Sequence, residues 1–127
     1  LDFSIFNTSN VTDMSFMFSQ CSAMKDLDLS NFNTAKVTEM VCMFFVCSKL
    51  EKLNLSSFNF DNVIHMKGMF NFCSSLIDLD FPQTNLDKAT DTKCIFSFCK
   101  YKLFLMLILR NANLFSKNVW GVSSNKL

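Results

Sequence analysis

Two glycines and one proline in 127 residues leave this chain short of the usual turn-makers. An ordinary sandwich or barrel, punctuated every few residues by Gly and Pro, therefore fits poorly. Histidine, tryptophan and tyrosine occur once each, and the isolated His65 argues against a histidine-based triad or metal site. The longest apolar run, Leu103 to Leu109, falls far short of the ~20 residues of a membrane helix. Acids are missing from residues 99–127, which carry five basic groups, whereas residues 1–98 carry all eleven acids against seven lysines. Those basic residues are scattered and not interleaved with aromatics, which argues against a nucleic-acid partner. No signal peptide opens the chain; it starts inside a repeat and is expected to be a piece of a longer array.

What the chain does have is sixteen phenylalanines, eight methionines and 50% apolar residues at a formal net charge of +1. That composition belongs to a packed core, not to disorder. Its order is periodic. Leu1, Leu27, Leu53, Leu79 and Leu105 recur every 26 residues without a slip, the mark of a repeat architecture. The units run 1–26, 27–52, 53–78 and 79–104, with a degenerate fifth over 105–127, and the whole is expected to be a single array.

Within each unit two periods alternate. The leading leucine and the apolar residue two places on (Phe3, Leu29, Leu55, Phe81 and Leu107) give the alternation of a half-buried strand. Val11, Met14, Met17, Phe18 and Cys21 then fall at i, i+3, i+6, i+7 and i+10, and Val37 to Cys47 and Val63 to Cys73 repeat them. This spacing predicts a short helix with one apolar face. The expected fold is an α/β right-handed solenoid of the leucine-rich-repeat kind, with a parallel sheet on the concave side and short helices on the convex side. Asn7, Asn33, Asn59, Asn85 and Asn111 occupy one column in all five units. Because an amide both donates and accepts, the column is expected to be a ladder bonding to itself and to the turning backbone of adjacent coils.

Residues 27–52, LDLSNFNTAKVTEMVCMFFVCSKLEK, closely resemble the leucine-rich repeats of BspA-type bacterial surface proteins, also known as the mycoplasma lipoprotein-associated repeat. The likeness covers residues 1 to about 81 well, 82–102 partly and 103–127 hardly at all. It implies a surface-exposed or secreted, non-enzymatic module, with adhesion to a protein or glycan on a host or neighbouring cell as its role.

Enzyme chemistry finds no foothold: there is no phosphate loop, no nucleophile elbow and no paired helical acids, so neither a catalytic residue nor a cofactor is expected. Cys21, Cys47, Cys73 and Cys99 form one apolar column and read as core thiols. A disulfide or metal reading of Cys42/Cys47 and Cys94/Cys99 lacks the short zinc spacing. His65 shares a column with Asp13, Glu39 and Asp91, expected to be a solvated first helical turn. The remaining candidate is the outward strand face, where Asp2, Ser4, Asp26, Asp28, Ser30, Lys52, Asn54, Ser56, Asp78 and Asp80 are the expected ligand contacts. A solvated face kept soluble by charge is the plain alternative. The runner-up function is an intracellular leucine-rich-repeat scaffold for protein interactions.

Overall fold

The computed structural model describes residues 2–84, 86–100 and 103. Three strands, β1 (Asp26–Asp28), β2 (Lys52–Asn54) and β3 (Asp78–Asp80), pair in parallel in the order β1-β2-β3. Their register follows the repeat: Asp26, Lys52 and Asp78 are partners, as are Leu27, Leu53 and Leu79, and Asp28, Asn54 and Asp80. Alternation explains what each strand buries. The central leucine points into the core and the two flanking polar residues face solvent, as the twofold period requires.

The expected helices do not form. Over 11–21, 37–47, 63–73 and 89–99 the chain runs instead through consecutive tight turns. In the third unit Met69, Asn71 and Cys73 N–H groups donate to the carbonyls of Met66, Gly68 and Phe70 at 3.0–3.3 Å. The intervening N–H groups of Met66, Gly68, Phe70 and Phe72 donate sideways to Asp91, Lys93, Ile95 and Ser97 of the next unit, at 2.8–3.0 Å. The same wall repeats one unit earlier, from Met40, Cys42, Phe44 and Val46 to His65, Lys67, Met69 and Asn71. Asp13, Glu39, His65 and Asp91, assigned above to a first helical turn, are successive parallel bridges at the start of this wall.

Positive φ is the local signature. Phe16, Cys42, Gly68 and Cys94 lie at 61°, 52°, 62° and 57°, and Gln20, Val46, Phe72 and Phe98 at 62°, 59°, 62° and 60°. A left-handed residue every fourth position breaks any helical ladder, and it is what a type II turn needs at its third residue. Two such residues cost each unit about 2–4 kcal/mol. Four hydrogen bonds to the neighbouring unit, at about 0.5–1.5 kcal/mol each, offset that. A ten-residue helix, marginal by itself in water, has no comparable gain.

The apolar columns nevertheless fall where the periodicity put them. Val37, Met40, Met43, Phe44 and Cys47, and equally Val63, Met66, Met69, Phe70 and Cys73, are completely buried. Phe18, Phe44, Phe70 and Phe96 stack face to face through four units, with centroids 5.2–5.6 Å apart and planes within 4°. Phe32 and Phe58 continue the stacking at 6.5 Å. Such offset stacks add about 0.5–1.5 kcal/mol per pair beyond the area they bury.

Asparagine is bonded differently from the ladder expected of it. Asn7 Oδ1 accepts from the N–H and hydroxyl of Ser9, Asn33 Oδ1 from the N–H of Ala35 and Asn59 Oδ1 from the N–H of Asp61. Each closes a turn inside its own unit, at an exposed corner. The bonds between units belong to the next residue along: Thr8 Oγ1 accepts from Asn33 N–H (2.8 Å) and donates to Asn33 O (3.1 Å), and Thr34 does the same to Asn59 at 2.8 and 3.1 Å. A short side chain with one oxygen that both donates and accepts can stay buried between units, whereas the longer amide reaches its own backbone first. Asn85 and Asn111 lie outside the described residues.

Candidate functional site on the strand face

The strand register brings six of the expected contact residues together. Asp26, Asp28, Lys52, Asn54, Asp78 and Asp80 wall a shallow groove of about 530 Å³, floored by Leu27 and Leu53. Parallel strands lie ~4.8 Å apart, so Asp28, Asn54 and Asp80 make one row and Asp26, Lys52 and Asp78 another. Four carboxylates thus face one ammonium, and the groove carries net negative charge. Asp2, Ser4 and Ser30 gather with Asp28 and Asn31 around a neighbouring depression of about 300 Å³. Ser56 lines neither and turns back to Asn54, its hydroxyl donating to Oδ1 at 2.6 Å.

Several of these side chains are also occupied structurally. Asp2, Asp28 and Asn54 each accept, through Oδ1, the backbone N–H of the serine two residues on (Ser4, Ser30 and Ser56) at 2.8–2.9 Å. The turn that closes each strand is therefore pinned by an Asx motif. The backbone N–H and then the hydroxyl of that serine hold the Asp2 and Asp28 carboxyls below the ordinary value of 3.8. In the fourth unit the serine is replaced by Pro82, which has no N–H to give. Asp80 cannot make the equivalent bond.

Sequence reasoning passed over Asn31, whose Nδ2 donates to Phe3 O at 2.7 Å beside the second depression. Its column reads Ile5, Asn31, Ser57 and Gln83, a mixture with no pattern to signal a role. His65, expected to be a bystander on a helix, is half-exposed and bonds Glu39 across the unit boundary, Nδ1 to Oε2, at 2.8 Å. Among the described residues no group of His, Cys, Asp and Glu is arranged to hold a metal ion.

The six cysteines are all free thiols. Cys47, Cys73 and Cys99 donate through Sγ to the carbonyls of Phe18, Phe44 and Phe70, each in the preceding unit and each at 3.1 Å. Burial pushes the Cys99 thiol up to about 12. The thiol of Cys73 is raised as well, by its contact with Cys47 and by burial. Protonated thiols of this kind are core donors rather than nucleophiles.

A 26-residue repeat, an in-register parallel sheet and a wall of turns define the class: a repeat protein whose units hydrogen-bond one to the next. Residues 1–103 match the family described as "Mycoplasma protein of unknown function, DUF285", and the chain belongs to it. No curated protein and no solved structure matches. No helix among the described residues is long and apolar enough to cross a membrane.

Proposed function

We propose that the units form a right-handed solenoid and that the protein is a non-enzymatic binding module, displayed at a cell surface, that takes a protein or glycan ligand along its strand face. The observation that carries this reading is the groove itself. The walls of an extended depression are supplied by the outward residues of three consecutive strands, four of them aspartates. An open acidic trough suits an extended ligand with cationic groups, since such complementarity steers encounter and orients the partner. Surface display and adhesion follow from the resemblance to BspA-type surface repeats.

The test is binding of the purified protein to matrix proteins, basic peptides and neutral glycans, beside a variant carrying Asp26→Asn, Asp28→Asn, Asp78→Asn and Asp80→Asn. Asparagine keeps the acceptor that closes the turn at position 28 while removing the charge. A folded variant that loses the ligand supports the proposal. One that binds as well as the parent reduces the aspartates to a solvated face.

Six unpaired thiols favour a second reading, an intracellular scaffold for protein interactions, because disulfides form and persist in oxidising compartments. Localisation of the tagged protein by surface proteolysis of intact cells separates the two.

A further inference from the structure

Every unit gives alternate backbone N–H groups of its turn wall to the carbonyls of the unit that follows. Met14, Phe16, Phe18 and Gln20 donate to Glu39, Val41, Met43 and Phe45 at 2.7–2.9 Å. The carbonyls at 39, 41, 43 and 45, and again at 65, 67, 69 and 71, are thereby filled from the preceding unit. Their counterparts in the first unit, the carbonyls of Asp13, Ser15, Met17 and Ser19, accept no hydrogen bond among the described residues.

The same end leaves apolar side chains open that later units bury. Phe6 is 55% exposed where Phe32 and Phe58 are 4% exposed, and Met17 is 45% exposed where Met43 and Met69 are fully covered. Cys21 is only partly buried, and its thiol has no carbonyl to meet, unlike Cys47, Cys73 and Cys99.

We infer that this carbonyl edge is the docking surface for a further unit of the same 26-residue repeat, borne by the same polypeptide and joined ahead of Leu1. The edge turns at Phe16, in the left-handed region at φ 61°, so the evenly spaced donors of a straight strand fall out of line with it. A unit of this repeat carries four N–H donors with the matching turn, and its Phe, Met and Cys columns continue over Phe6, Met17 and Cys21. Two copies of the edge cannot satisfy each other, because both offer only acceptors; a twofold dimer through it is excluded. Joining in one chain also continues the interface already made three times in this molecule, without the entropy cost of association. The edge lies at the end of the stack and not on the strand face, so it is filled in this way whether or not the groove takes a ligand.

The experiment joins a copy of residues 27–52 directly ahead of Leu1 in the full chain. Beside it run the unextended chain and one extended by the same 26 residues in scrambled order. With the authentic unit, alkylation of Cys21 and oxidation of Met17 slow by about tenfold or more, the scale of a site that reacts only on local opening. Cys42 and Cys94 keep their rates as internal controls. Equal protection by the scrambled unit, or none from the authentic one, overturns the inference. So does concentration-dependent protection of Cys21 in the unextended chain with end-to-end assembly by sedimentation, which assigns the edge to a second copy.

Discussion

Cys73 gives its thiol hydrogen to the carbonyl oxygen of Phe44, 3.1 Å away and 29 residues back in the chain. The bond is made between units, inside a core where both residues are completely buried, and it repeats from Cys47 to Phe18 and from Cys99 to Phe70.

Removing this donor tests how far the thiols hold one unit to the next. Cys73→Ala loses a hydrogen bond and leaves a small void, and is expected to lower unfolding free energy by about 1–3 kcal/mol. Cys21→Ala, at the equivalent position with no preceding carbonyl, stays within about 0.5 kcal/mol of the parent. Urea denaturation of the two variants measures the difference.

Threonine, not asparagine, ties the corners of adjacent units. Thr34→Val keeps the volume but strands the N–H of Asn59, which Thr34 Oγ1 accepts at 2.8 Å. Leaving that donor unpaired costs about 1–3 kcal/mol. Asn33→Ala removes only an exposed bond to Ala35 within one unit and costs about 0.5 kcal/mol. Equal losses in thermal melts of the two variants would contradict the assignment of the corner to threonine.

Backbone strain predicts opposite signs at two positions. Val46 is a β-branched residue held at φ 59°, a conformation that asparagine adopts far more easily. Val46→Asn is expected to raise stability by about 1 kcal/mol. Gly68 sits at φ 62°, and a Cβ there would lie 3.2 Å from Cys42 Sγ. Gly68→Val is expected to lower stability by about 1–3 kcal/mol. Guanidinium titrations of both variants decide the matter.

Stability should fall on both flanks of the pH scale. The carboxyls of Asp2, Asp13 and Asp28 are lowered below 3.8 by their serine N–H and hydroxyl partners. A lowered carboxyl contributes stability that is present above its unfolded value and lost as pH falls through the folded one. The Asx turns therefore hold at neutral pH and release below about pH 4. On the alkaline side Cys99 is raised from 9.0 to about 12. The unfolded chain ionises first, so stability declines progressively as pH climbs from 9 towards 12. Denaturation midpoints across this range, with Cys99→Ala flattening the alkaline limb, provide the check.

Much of this architecture was legible before any coordinates. The leucines every 26 residues set the strand register that pairs Leu27, Leu53 and Leu79. The alternation about them put Asp26, Asp28, Lys52, Asn54, Asp78 and Asp80 outside, where the groove now lies. The helices were misread for a definite reason. Apolar residues at i, i+3, i+6, i+7 and i+10 face one way on a helix, and they face one way on a chain of turns that advances at a similar rate. Burial of Met40, Met43, Phe44 and Cys47 is common to both.

Side-chain pattern alone thus determined the length of the unit, the alignment of one unit on the next, the buried columns and the polar strand face, because each depends on which residues avoid water. Only the tertiary structure decided how the backbone between those columns satisfies its hydrogen bonds. A neighbouring unit lying alongside turns N–H groups that a helix would use internally into bonds across the boundary, and the left-handed residues at Cys42, Val46, Gly68 and Phe72 make that exchange possible. The same neighbour selects threonine over asparagine at the corner, since the oxygen of Thr34 reaches both backbone groups of Asn59 while the amide of Asn33 closes on its own turn.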